Sequence, residues 1–123
     1  MHEHDPFTEE LIGCAMEVHR QLGPGLMEST YEAALCLELT EHKIPFKRQL
    51  HVPVYYKGHL IGEYRPDLVA DDRVLLEIKS VERVIGVHQA QALAYMRLLK
   101  VPTGLILNFY GEVLKTGIKR LAI

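Results

Sequence analysis

The chain has 123 residues, enough for one hydrophobic core with little room for a second. Its 48% hydrophobic content and two cysteines fit a globular domain rather than a disulfide scaffold, and no apolar run approaches the ~18 residues of a membrane span. A net charge of −2 excludes a uniformly basic nucleic-acid binder, but residues 1–42 carry nine acids and one base, whereas residues 43–123 carry thirteen bases and seven acids. Such asymmetry permits a local phosphate-binding surface on a nearly neutral chain. The first ten residues, MHEHDPFTEE, lack the basic and apolar regions of a signal peptide. Cys14 and Cys36 lie in apolar helical patterns and form no CxxC, so they read as buried thiols of a cytoplasmic protein.

In chain order, Thr8 is the expected N-cap of a first helix, with Glu9 and Glu10 in its first turn. Leu11, Cys14, Ala15, Val18 and Leu22 form its apolar stripe, and Gly23-Pro24-Gly25 ends it. A second helix is expected from residue 26 or 29 to residue 42; Ser29 and Glu32 have capping-box spacing, and the apolar AALCL makes this helix central. Strands are expected at 46–56, 60–70 and 74–79. A third helix is expected at 87–99, with Val87, Gln91, Ala94, Tyr95 and Leu98 facing inward, then strands at 103–109 and 113–119. The order ααβββαββ predicts an α/β fold with a mixed sheet and a crossover through the third helix. Residues 1–7 are expected to be a flexible N-terminus and 8–123 a single domain.

The most informative segment is YRPDLVADDRVLLEIKS, residues 64–80. Asp67, Glu77 and Lys79 share one parity; Pro66, Leu68, Ala70, Val74, Leu76 and Ile78 share the other. Side chains alternate faces along a strand, so one face is apolar and the other gathers two carboxylates and an amine. Placing Asp67 opposite Glu77 pairs Ala70 with Val74 and leaves Asp71-Asp72-Arg73 as a three-residue loop; a two-residue turn would mix the faces. An exposed hairpin edge with a surface salt bridge would produce similar alternation. A hard divalent cation and a phosphate ester would satisfy all three groups.

Pro66-Asp67 followed by Glu77-Ile78-Lys79 resembles the signature of the PD-(D/E)xK nuclease superfamily. Gly25, Glu28 and Tyr31 stand at the spacing of its small GxxExxY branch, and Gln91 with Tyr95 looks like the QxxxY element of its RecB-type branch. The tail GLILNFYGEVLKTGIKRL is also similar to the ending of GxxExxY proteins.

The resemblance implies a restriction-endonuclease-like core, a mixed sheet flanked by helices, and phosphodiester hydrolysis, with DNA as the expected substrate. Mg²⁺ or Mn²⁺ is then the expected cofactor, held by Asp67, Glu77, the Ile78 carbonyl and Glu28, directly or through water. Lys79 is expected to position the attacking water or stabilise the transition state, and Gln91 to orient Lys79 or a phosphate oxygen. Tyr31 and Tyr95 are expected substrate contacts. His88, three residues before Gln91, joins them as a candidate; His2, His4, His19, His42, His51 and His59 are scattered without zinc-ligand spacing. No phosphate-cradling GxxxxGK[ST] loop is present.

The alternatives are a non-catalytic nucleic-acid- or protein-binding module on the same fold, and a metal enzyme acting on another phosphoester. So small a chain has little surface for substrate selection, so a homodimer or a protein partner is a further expectation.

Overall fold

A computed structural model describes residues 5–123; residues 1–4, with His2, His4 and most of the expected flexible N-terminus, lie outside the described residues. Helix α1 spans Pro6–Leu22. Its N-cap is Asp5, three residues before the expected Thr8, accepting from the Thr8 backbone N–H at 3.1 Å and the Thr8 hydroxyl at 3.0 Å. Pro6 suits the first helical position, where an N–H would have no helical partner. The helix ends at Gly23, which takes φ 72°. Helix α2 spans Glu28–Glu41 and starts at Met27 without a side-chain cap. The expected Ser29–Glu32 capping box does not form, because the Glu32 carboxylate accepts from Arg48 and Gln49 instead.

Two of the expected long strands are each broken in the middle. Residues 46–56 divide into β1, Phe46–Arg48, and β2, Val52–Tyr56. The break follows Gln49, which takes φ 53° and turns the chain out of the sheet. Residues 60–70 divide into β3, His59–Tyr64, and β4, Leu68–Ala70. Pro66 lies in that gap, and a proline cannot donate to a ladder. β2 and β3 pair with each other as a separate two-stranded hairpin. Apolar–polar alternation continues across both gaps, so periodicity alone hid them.

The remaining strands are β5, Val74–Lys79, β6, Thr103–Asn108, and β7, Ile118–Ala122. The main sheet has the order β1-β4-β5-β6-β7. β5 and β6 are parallel and every other neighbouring pair is antiparallel, so the sheet is mixed as expected. The crossover between β5 and β6 runs through α3, Gly86–Leu99. The expected final strand at 113–119 is a 3₁₀ turn, Lys115–Gly117, leading into β7. Gly117 lies against the Asn108 backbone, where a Cβ would stand 2.3 Å from the carbonyl oxygen, so only glycine fits that turn.

Ala70 pairs with Val74 and Leu68 with Leu76, and the loop between β4 and β5 has three residues, the expected register. Both sheet faces are covered, however. Leu68, Ala70, Val74, Leu76 and Ile78 pack with Leu11, Val18, Leu35 and Leu39 of α1 and α2. Val69 and Leu75, of the other parity, pack with Ala92, Tyr95 and Met96 of α3. The expected polar face is therefore polar only at the end carrying Asp67, Glu77 and Lys79.

Helix α3 is rotated relative to the expected stripe. Ala92, Tyr95 and Met96 are buried, while Val87, Gln91 and Leu98 are exposed. The run ALAYMRLL offers apolar groups on several sides, and the sheet selects the side that fits. Gly104 of β6 makes that fit: a Cβ there would meet the Met96 sulfur at 2.7 Å. Among the described residues, no helix is long and apolar enough to cross a membrane.

Candidate active site

Asp67 stands one residue before β4 and Glu77 lies within β5. The two carboxylates are held in a crossed arrangement. The Asp67 backbone N–H donates to Glu77 Oε2 at 2.8 Å, and the Ile78 backbone N–H donates to Asp67 Oδ2 at 2.9 Å. Each acid is thus fixed by the backbone beside the other. Glu77 is 4% exposed. Burial, then the charge of Asp67, pushes its carboxyl up to about 8. Burial raises Asp67 to about 6, against the opposing pull of the Ile78 N–H. Lys79 shares the parity of Glu77 on β5, and its charge favours ionisation of both acids. The Lys79 amine forms no hydrogen bond or ion pair with any described residue.

This donor set fits a hard divalent cation. Each carboxylate commits one oxygen to a backbone N–H and keeps another, Asp67 Oδ1 and Glu77 Oε1. Asp67 Oδ1 has only a long contact, 3.5 Å, with the Gln49 amide. A strand residue sends its N–H and C=O to the same side, so the Ile78 carbonyl leaves β5 toward Asp67 as its N–H does. Two carboxylate oxygens and a carbonyl are the ligand types that Mg²⁺ and Mn²⁺ take, with water completing the shell. A cation would also offset the burial and like-charge repulsion that raise both acids, favouring their ionised forms.

Glu28 is not gathered with them. Its Oε2 accepts from the Ser80 N–H at 2.9 Å, and among the described residues no three His, Cys, Asp or Glu side chains converge on one point. Glu28 instead holds the chain immediately after Lys79, close enough for its charge to raise Asp67 further.

Tyr31 is corrected as a substrate contact. It is 0% exposed, stacks on Phe109 with centroids 4.5 Å apart, donates to the Gly23 carbonyl at 2.6 Å and accepts from the Leu26 N–H at 3.1 Å. It closes the α1–α2 loop, where Gly25 takes φ 100°. His88 is turned to the start of α3, its Nδ1 accepting from the Ile85 N–H at 3.1 Å. Gln91 is exposed, not inward, and borders a cleft with Tyr64 and Tyr95. Tyr95 is buried beneath that cleft, and burial and then the charge of Glu77 raise its hydroxyl.

Three supporting residues were not expected. Gln49 donates from its backbone to the Asp67 carbonyl at 2.9 Å and from its amide to Glu32 at 3.1 and 3.0 Å. Glu32 is 6% exposed and also takes the Arg48 guanidinium at 2.7 Å. Asn108, paired in register with Lys79, accepts from the Val81 N–H at 3.0 Å and donates to the Val81 carbonyl at 2.9 Å. Their sequence signals are faint: an acid inside an apolar helix, and an amide ending an apolar strand.

Searches among curated proteins and among solved structures found no match to the chain. A family model for the PD-(D/E)XK nuclease superfamily, by contrast, matches residues 5–121. That span takes in the mixed sheet, its flanking helices and both halves of the carboxylate–lysine site, the layout of a restriction-endonuclease-like fold. The match accounts for why Pro66-Asp67 and Glu77-Ile78-Lys79, ten residues apart in sequence, are folded against one another: the chain belongs to the PD-(D/E)XK nuclease superfamily.

Proposed function

We propose that the protein is a Mg²⁺- or Mn²⁺-dependent nuclease that hydrolyses phosphodiester bonds in DNA, and that it belongs to the GxxExxY branch of its superfamily. The observation that carries this reading is the crossed pairing of Asp67 and Glu77, with the unengaged Lys79 amine on the same face. Asp67, Glu77 and the Ile78 carbonyl would hold the cation, which supplies an activated water and neutralises charge on the phosphate.

The remaining chemistry belongs to the chain. The Lys79 amine meets the negative charge that builds on the phosphate oxygens, or holds the attacking water in line. An amine already in place costs no reorganisation when the charge develops. Glu28 and Asn108 grip Ser80 and Val81 and so keep the end of β5, with Lys79, from fraying. Gln49 holds Asp67 from the other side. Partial burial excludes bulk water and strengthens each of these interactions. Two buried, unpaired thiols suit a reducing cytoplasm. A second copy or a protein partner would enlarge the small surface available for choosing a substrate.

The test is cleavage of labelled DNA and RNA with Mg²⁺ or Mn²⁺ by wild type and Lys79→Ala. Metal-dependent cleavage that Lys79→Ala abolishes supports the proposal. Binding without cleavage by wild type, with Lys79→Ala changing affinity alone, would establish a non-catalytic binding module instead.

A further inference from the structure

Between the β2–β3 hairpin and α3 lies a cleft of about 400 Å³. Val54 and Tyr64 form its hairpin wall; Gln91, Ala94, Tyr95 and Leu98 form its helix wall, and Arg97 stands at the rim. Its volume lies in the range of small-molecule sites and suits one flat heteroaromatic ring system. Tyr64 is 45% exposed, so one side of its ring faces open space. Its centroid lies 6.1 Å from that of Tyr95 at 59°, too close and too tilted for a ring to slide between them. A guest would therefore lie on the open face of Tyr64. Gly62 lets that ring lie along the hairpin, since a Cβ there would stand 3.2 Å from it. The exposed Gln91 amide offers a donor and an acceptor at the edge of the same space, and among the described residues it makes no hydrogen bond.

Three features identify the guest. The walls are mostly apolar with a few polar groups, as a nucleobase requires. Arg97 supplies positive charge where a backbone phosphate would pass. Tyr95 belongs both to the cleft and to the surroundings of Glu77 and Asp67, so the cleft adjoins the carboxylate pair.

We propose that the cleft holds one unstacked nucleobase of the strand being cut, stacked on Tyr64 and read at its edge by Gln91, so that the enzyme acts on single-stranded DNA or on duplex ends that fray. Bases inside a duplex are stacked and paired, and extracting one carries an unstacking and unpairing cost that a free strand does not incur. The proposal rests on the nuclease reading above and narrows it to a substrate class.

Fluorescence anisotropy with the full chain, Ca²⁺ replacing Mg²⁺, tests it on a labelled single strand, a blunt duplex and a duplex with an overhang. The single strand and the overhang should bind more tightly than the blunt duplex. Tyr64→Ala should weaken single-strand binding roughly tenfold, within the range for loss of one base–aromatic stack, while Tyr64→Phe retains it. Gln91→Ala, at an exposed helix position that folding does not need, should weaken it several-fold. In strands carrying a single abasic position moved along the sequence, one placement should weaken wild-type binding and leave Tyr64→Ala no further effect.

Equal affinity for blunt duplex, or indifference to Tyr64→Ala and to every abasic placement, would overturn the base site. So would a dimer that Tyr64→Ala dissociates without loss of DNA affinity, since a second copy would then cover the cleft. If the binding pattern holds but wild type cleaves no strand with Mg²⁺ or Mn²⁺, the base site stands and the nuclease reading fails.

Discussion

Asp67 and Glu77 hold each other through the backbone: each carboxylate accepts an N–H from the residue at, or just beyond, the other acid. Their separation is set by the sheet rather than by mutual attraction, and two acids that repel are kept side by side. Such an arrangement is unfavourable in the free protein and favourable around a cation. Its first consequence is a pH dependence.

Unfolded Asp and Glu titrate near ~4, whereas Asp67 is raised to about 6 and Glu77 to about 8. Between these values the folded chain binds more protons than the unfolded chain. Without metal, stability should therefore be greatest near pH 4 and fall as pH rises toward 8, by on the order of a few kcal/mol, most of it from the buried Glu77. Thermal melts in EDTA across pH 4–9 measure this. Glu77→Gln should flatten most of the decline, and a wild-type melting temperature that rises from pH 5 to 8 would contradict it.

Metal should reverse the decline. At pH 8, Mn²⁺ at a hundredfold excess over its dissociation constant should stabilise the protein by ~2.7 kcal/mol. The Asp67→Asn, Glu77→Gln double variant should show no such gain. Calorimetry finding the same binding heat in both proteins would place the metal elsewhere.

Lys79→Ala should leave folding and metal affinity nearly unchanged. The amine is not a metal ligand and makes no hydrogen bond or ion pair among the described residues, while losing its pull on both acids and its repulsion of a cation act in opposite directions. Cleavage should fall by roughly two orders of magnitude or more, the scale of losing one preorganised group on the transition state. Single-turnover rates, compared with calorimetric metal titrations of both proteins, separate the two effects.

Asn108→Ala removes both hydrogen bonds to Val81 and should cost about 1–3 kcal/mol of stability. Loosening the chain after Lys79 should lower kcat roughly tenfold with KM little changed, because a small displacement of a positioned group slows chemistry more than binding. Thermal melts and steady-state kinetics read the two consequences. An unchanged kcat would remove Asn108 from the positioning role.

Tyr31→Phe should keep the stack on Phe109 and lose the hydroxyl that ties Gly23 to Leu26. A loss of about 1–2 kcal/mol and unchanged single-turnover cleavage are expected. A rate defect in a fully folded variant would return Tyr31 to the substrate.

The parity of residues 67–79 determined, without any structure, which side chains share a face and how long the loop between them is. Strand alternation is local geometry, and a one-residue slip would have buried the acids in the α1–α2 core. Helices and β5 were legible for the same reason. The two strand breaks were not, because Gln49 and Pro66 leave the alternation intact while sending β2 and β3 out of the sheet. The rotation of α3 was not legible either: several faces of ALAYMRLL are apolar, and the space over Gly104 decides which one packs. That rotation moves Gln91 from the core to the cleft. The roles of Gln49, Glu32 and Asn108 also belong to the tertiary structure. Each acts on a residue 16 to 27 positions away, or across a strand pair, and such pairings exist only once the sheet has formed.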